Sequence, residues 1–143
     1  MKVNYKLPDM EHRFSIQVIG KESNINWAGE FVYKRPTLAQ RSMIENMRTR
    51  LNGDLMTIDG DIAALNMALA HLRFTLTESP EWWKASDYGG SLYDANVILE
   101  VYTKCIAFEE DWKRKVHGGD QKSVIEGSNE EGNKPERVAE SSL

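Results

Sequence analysis

The first clear pattern along the chain is an alternation. From Arg13 to Gly20 the residues RFSIQVIG place Phe14, Ile16 and Val18 at every second position between polar neighbours, the signature of a strand with one buried face. The segment KESN reads as a reversal. INWAGEFVYKR, from Ile25 to Arg35, alternates again through Ile25, Trp27, Gly29, Phe31 and Tyr33. It predicts the second strand of a hairpin, ended by Pro36. A glycine inside a strand marks a bulge or a close approach of another chain segment, so Gly29 is expected to serve one or the other.

After Pro36 the period changes from two to that of a helix. Thr37 with Gln40 fits a capping box, in which the hydroxyl accepts a free backbone N–H and the glutamine reaches back. The helix that starts there carries Leu38, Ile44, Met47 and Leu51 on one face, with Arg41, Glu45, Arg48 and Arg50 as its polar positions, and Asn52-Gly53 supplies its stop. Asp59 or Asp61 offers the next cap. Ile62, Leu65, Leu69, Leu72 and Leu76 then recur at helical spacing among Ala63, Ala64, Met67, Ala68 and Ala70. That helix, apolar on more than one face and closed by Pro80, is expected to be central. EWWKASDYGG forms a connection of about ten residues, longer than a usual bundle loop. The third helix is predicted from near Ser91 or Asp94 to about Val116, with Leu92, Ala95, Ile98, Val101 or Tyr102, Cys105, Phe108 and Trp112 inward and Gly118-Gly119 as its stop. Lys113, Arg114 and Lys115 fall where the helix dipole favours cations. Beyond Gly118 there is no aromatic residue and few aliphatics, so burial cannot offset the entropy of ordering. The expected architecture is α+β: an N-terminal β-hairpin packed on a bundle of about three α-helices, with a disordered C-terminal tail. Residues 1–12 form an extension, 13–117 the domain and 118–143 a flexible polar tail.

Composition narrows the function. At 143 residues, 41% hydrophobic and 28% charged, the chain is sized for one domain with its own core. A formal net charge of −4 argues against nucleic-acid or anionic-membrane partners, which require clustered Lys and Arg. Proteins are the expected partners, and self-association is left open. Cys105 is the only cysteine, so no internal disulfide forms, and a reducing compartment, the cytoplasm, is expected. No segment is apolar enough for a leader or a membrane span. His12, His71 and His117 lack ligands at metal-binding spacing. DGD at Asp59–Asp61 lacks the later positions of a calcium loop and reads as a helix cap. There is no phosphate loop, nucleophile elbow or zinc-protease motif, and Cys105 lies on an apolar helix face. No catalytic residue, cofactor or metal is expected, and the chain is read as a non-enzyme. What remains is an aromatic cluster, Trp82, Trp83, Tyr88 and Tyr93, with Met43 and Met47 on the first helix. The tryptophans either pack inward and close the loop or anchor an interface, where Trp, Tyr and Arg dominate. Methionines suit either a core or a groove that accepts a helix.

The stretch NWAGEFVYKRPTLAQRSMIENMRTRLNGD, the Ala/Leu-rich helix, and SPEWWKASDYGGSLYDANVILEVYTKCIAFEEDW together resemble the tail assembly chaperones of tailed bacteriophages. The likeness covers roughly Asn26 to Trp112. It lies in a G-x-F strand before the first helix, P-x-W-W after the second, and G-x-L-x-D-x-N-V-I opening the third. The resemblance implies a hairpin on a small helical bundle. It also implies a non-enzymatic factor that coats the long, mostly helical tape measure protein in the host cytoplasm, alongside other tail proteins, until tube subunits polymerise around it. Trp82, Trp83, Tyr88 and Tyr93, helped by Met43 and Met47, are then the expected contacts. The alternative is a structural virion component, a head-tail connector or tail subunit, in which the same aromatics pack in a permanent ring interface.

Overall fold

The computed structural model describes residues 6–53 and 58–128. It is an α+β fold in which a three-stranded antiparallel sheet, in the order β1-β2-β3, is joined to four helices. Strands β1 (Glu11–Ile19) and β2 (Asn26–Lys34) pair along their full lengths, Phe14 opposite Phe31 and Ile16 opposite Gly29. The alternation of Phe14, Ile16 and Val18 therefore places one face of the hairpin inward, as expected. The reversal is closed by Gly20 N–H to Ile25 O and Asn24 N–H to Gly20 O, both 2.8 Å, with Asn24 at φ 62°. Asparagine is among the few residues that adopt this left-handed backbone readily. Of the two roles open to Gly29, close approach is the one found. Its register with β1 is regular, and a Cβ there would lie 2.9 Å from Pro80 Cβ and 3.4 Å from Trp82 Nε1.

Helix α1 (Leu38–Asn52) begins with the expected capping box: the Thr37 hydroxyl accepts from Gln40 N–H, and Gln40 Oε1 accepts from Thr37 N–H. Helix α2 (Gly60–Thr75) is capped by Asp59, whose carboxylate accepts from Asp61 and Ile62 N–H. It ends one residue before Leu76. Leu76–Glu78 is not helical but forms β3, pairing with β2 at Val32 and Tyr33 across a register shift. Thr75 and Thr77, on either side of Leu76, favour extended backbone, and Pro80 then opens the short helix α3 (Glu81–Ala85) in the stretch expected to be loop.

Helix α4 (Ala95–Ser128) runs through Gly118-Gly119 instead of stopping there. A glycine ends a helix by taking a positive φ, which Gly118 does not. A glycine in helical conformation costs only about 1 kcal/mol against alanine. The polar tail is thus helical as far as Ser128, and the rest of it lies outside the described residues.

Two compact units can be distinguished. The larger, Asp9–Glu109, holds the sheet, α1 to α3 and the first part of α4. Its core joins Phe14, Ile16, Phe31 and Tyr33 of the sheet to Ala68 and Leu72 of α2, Trp83 of α3, and Val97, Ile98, Val101 and Cys105 of α4. In the smaller unit, formed by the described residues up to Pro8 and from Glu110 on, Trp112 is buried and donates through Nε1 to Pro8 O at 3.3 Å, and Asp111 pairs with Arg114 and Lys115, each at 3.1 Å.

Candidate functional site

The inward face expected for α1 is corrected by the structure. Only Ile44 is buried; Leu38 is 80% exposed, Met43 48% and Leu51 41%. At 3.6 residues per turn, Leu38 lies about 120° around the helix from Ile44, too far to share its contact. Met43, Met47 and Leu51 recur every fourth residue and so form a stripe beside Ile44. Polar bonds hold the helix against α2 at both ends: Gln40 Nε2 donates to Phe74 O at 3.2 Å, and Asn66 Nδ2 donates to Asn52 Oδ1 at 2.9 Å. Between those ends the stripe meets a cavity of about 80 Å³, lined by Met47 and Leu51 of α1, Leu69 and Arg73 of α2, and Asp87, Tyr88 and Gly90 of the connection after α3.

That connection is strained. Asp87, Tyr88 and Gly89 adopt consecutive positive φ values of 57°, 54° and 90°. An aspartate tolerates this backbone, but a bulky tyrosine is held there at a cost of about 1–3 kcal/mol, offset elsewhere. The offsets are visible. Ser86 Oγ donates to Trp83 O and accepts from Gly89 N–H, and Ser91 N–H returns to Ser86 O at 2.8 Å. Gly89 lies against the six-membered ring of Trp83, where a Cβ would be 2.9 Å from Cη2. The Tyr88 ring in turn carries the Arg73 guanidinium 4.0 Å from its centroid, a cation–π contact at the cavity rim.

The six residues expected to bind a partner therefore separate. Trp83 is a correction: at 1% exposure it belongs to the core, edge-on to Phe31, and offers a partner no surface. Its indole N–H has no acceptor among the described residues. Trp82 is half-buried against Trp27, Phe31 and Trp83, and its Nε1 donates to Ala28 O at 2.9 Å, so its role is to close α3 onto β2. Tyr88 and Met47 line the cavity, and Met43 stands exposed one turn from Met47. Tyr93 is 85% exposed and does not line the cavity. Arg73 and Leu69 were missed: both sit in the run read as a central buried helix, where periodicity gives no sign of an open side.

A second cluster is polar and internal. Arg35 Nε donates to Glu109 Oε1 at 2.8 Å, the Tyr33 hydroxyl donates to Glu109 Oε2 at 2.5 Å, and His71 Nε2 lies 3.1 Å from the Tyr33 oxygen. Because the phenol proton is committed to Glu109, Nε2 carries the hydrogen and donates to Tyr33. Burial pushes the Tyr33 phenol up, with Glu109 adding to it, and pushes His71 down, keeping the imidazole neutral. The Cys105 thiol is likewise raised by burial. Tyr33 and Cys105 have no exposed surface, while His71 and Glu109 are half-buried, and the cluster joins β2, α2 and α4. Among the described residues no group of three or more His, Cys, Asp or Glu is placed to hold a metal ion, and no helix is long and apolar enough to cross a membrane.

A third buried group shapes the approach to α4. Asp94, one of the two positions expected to open the last helix, turns its carboxylate to the hairpin. It accepts from Glu22 N–H, Ser23 N–H, the Ser23 hydroxyl and Trp27 Nε1 at 2.6–3.0 Å. The Ser23 hydroxyl above all, with the other donors, holds its carboxyl at about 2. Compared with protein-family models, curated proteins and solved structures, the chain matches none.

Proposed function

We propose that the protein is a non-enzymatic binding module that takes an apolar helical segment of a partner along the α1–α2 groove. Met43, Met47, Leu51 and Tyr88 are its contacts. The observation that carries this reading is the exposure of the α1 stripe: Met43 and Leu51 stand 48% and 41% exposed beside a cavity floored by Leu69. Flexible methionines on an open helix suit helix-in-groove docking, because they repack around different side chains. The resemblance to phage tail assembly chaperones supplies the identity of the partner, the tape measure protein, bound in the host cytoplasm and released as the tail tube forms.

Quantitative mass spectrometry of purified particles against infected-cell lysate tests the role: abundance in the lysate and absence from particles is expected. Stoichiometric presence in particles would overturn the chaperone reading in favour of a fixed structural subunit. Met47→Lys, folded by circular dichroism, is expected to lose co-purification with the tape measure protein, whereas Tyr93→Ala keeps it.

A further inference from the structure

The docking reading leaves open what the partner helix must carry besides apolar residues, and the charges around the groove supply an answer. The chain as a whole has a net charge of −4, yet α1 carries Arg41, Arg48 and Arg50 against one acid, Glu45. Glu45 is engaged by Arg48. Arg41, Arg50 and Arg73 make no ion pair among the described residues. Asp87 is the single acid lining the cavity, and it is not paired with Arg73.

Resting on the docking reading, we propose that the groove selects helices bearing a carboxylate one turn from their apolar anchor, and that Arg73 reads that carboxylate. The position over the ring suits the task. The cation–π contact with Tyr88 uses none of the guanidinium hydrogen-bond donors on a protein acceptor, and a guanidinium fork matches a carboxylate bidentately. The Tyr88 ring, 4.0 Å away, holds that fork at the rim, and the left-handed backbone at Tyr88 sets the ring there. Spacing supplies the rest. Leu69 and Arg73 are four residues apart on α2, so the apolar floor and the cation lie one turn, about 6 Å, apart. A helix running along α2 matches them with an apolar residue and an acid three or four positions apart. The partner is thus an acidic amphipathic helix, and a basic one is disfavoured.

The test uses the full chain and two fluorescent, stapled helical peptides with leucines at helical spacing. They differ only in Glu or Lys one turn from the central leucine. The Glu peptide is expected to bind about two- to five-fold tighter, the range for an exposed ion pair, and the preference is expected to vanish at high salt. Arg73→Glu should reverse the preference, and Arg73→Gln, the milder variant, should abolish it. Equal binding of both peptides, with a ratio unmoved by either variant, would overturn the role of Arg73 while leaving helix docking in place. Failure of both peptides to bind would remove the docking reading and this inference together.

Discussion

Gly89→Ala tests the connection that forms the outer wall of the groove. At φ 90° a side chain meets the backbone, and a left-handed conformation costs a non-glycine residue about 1–2 kcal/mol. The methyl group would also lie 2.9 Å from Trp83 Cη2 and 3.2 Å from Cζ2 and Cζ3. Trp83 has little room to retreat, because it is 1% exposed and packs edge-on against Phe31 with centroids 5.5 Å apart. Overpacking of this kind adds about 1–3 kcal/mol. The expected total is about 2–5 kcal/mol, a large part of the roughly 5–15 kcal/mol that stabilises a typical domain. Urea denaturation followed by circular dichroism measures it. Gly90→Ala is the control: Gly90 has no positive φ and its nearest neighbour to a Cβ would be Asp87 O at 3.3 Å. A loss under about 1 kcal/mol is expected there, the scale of an ordinary surface change. If Gly89→Ala came within about 0.5 kcal/mol of the wild type, the account of a strained connection pinned by Trp83 would be wrong.

Other consequences can be measured on the same protein. Asp94 has its carboxyl depressed to about 2 by the hairpin donors. It therefore stabilises the fold above the ordinary aspartate value near 3.9, and that stability is lost as pH falls toward 2; an acid titration of Trp fluorescence should lose this phase in Asp94→Asn. His71 is kept neutral by burial, so the unfolded chain binds its proton first and the melting temperature should fall as pH drops below about 6.5. His71→Gln, which retains a donor toward Tyr33, should flatten that dependence, and an unchanged slope would remove His71 as its cause. Gly29→Ala places a Cβ 2.9 Å from Pro80 Cβ and is expected to lower stability by about 1–3 kcal/mol in a urea melt. In native-state hydrogen exchange, the amides of α1 should exchange faster than those of α2, and equal protection would contradict the loose seating of α1.

The hairpin was legible because alternation and burial agree there. Phe14, Ile16, Phe31 and Tyr33 stand at every second position and all four lie in the core. The capping box at Thr37 and Gln40 was legible for the same reason, as a local bond needs only local sequence. Position around a helix was less so. Leu38 and Leu51 fit an apolar face, but whether that face is covered depends on what the rest of the chain brings to it, and here only Ile44 is covered. Val97, fully buried, was missed because α4 is apolar over a wide arc. The candidate site was half legible. Tyr88 and Met47 were singled out from their residue types, whereas Arg73 and Leu69 reach the cavity through the packing of α1, α2 and the connection, which no local pattern records. The third strand was hidden too, since Leu76 continues the helical spacing and only pairing with Val32 and Tyr33 makes its segment extended.

On the proposed docking reading, the distribution of anchoring accounts for α1, of all the helices, serving as the binding wall. Helix α4 is fixed by the Arg35–Glu109–Tyr33 bonds and by Asp94 at the hairpin, and α2 contributes Ala68, Leu72 and the His71 contact to the same core. Moving α4 would separate the largely buried Arg35–Glu109 pair, which costs several kcal/mol, and moving α2 would unpack Leu72 and break the His71 contact. Helix α1 has one buried apolar residue, Ile44, and a side-chain bond near each end, Gln40 to Phe74 O and Asn52 to Asn66. A hydrogen bond of that kind contributes about 1 kcal/mol net. The helix can therefore shift on α2 to admit a partner's side chain at small cost, while the Tyr88 wall opposite it stays fixed by Gly89 on Trp83. On the proposed docking reading, a groove with one rigid and one yielding wall suits a protein that holds many related helical segments in turn: Arg73 of α2, set over the fixed Tyr88 ring, would select them by charge, and α1 would adapt to the apolar side chains that differ.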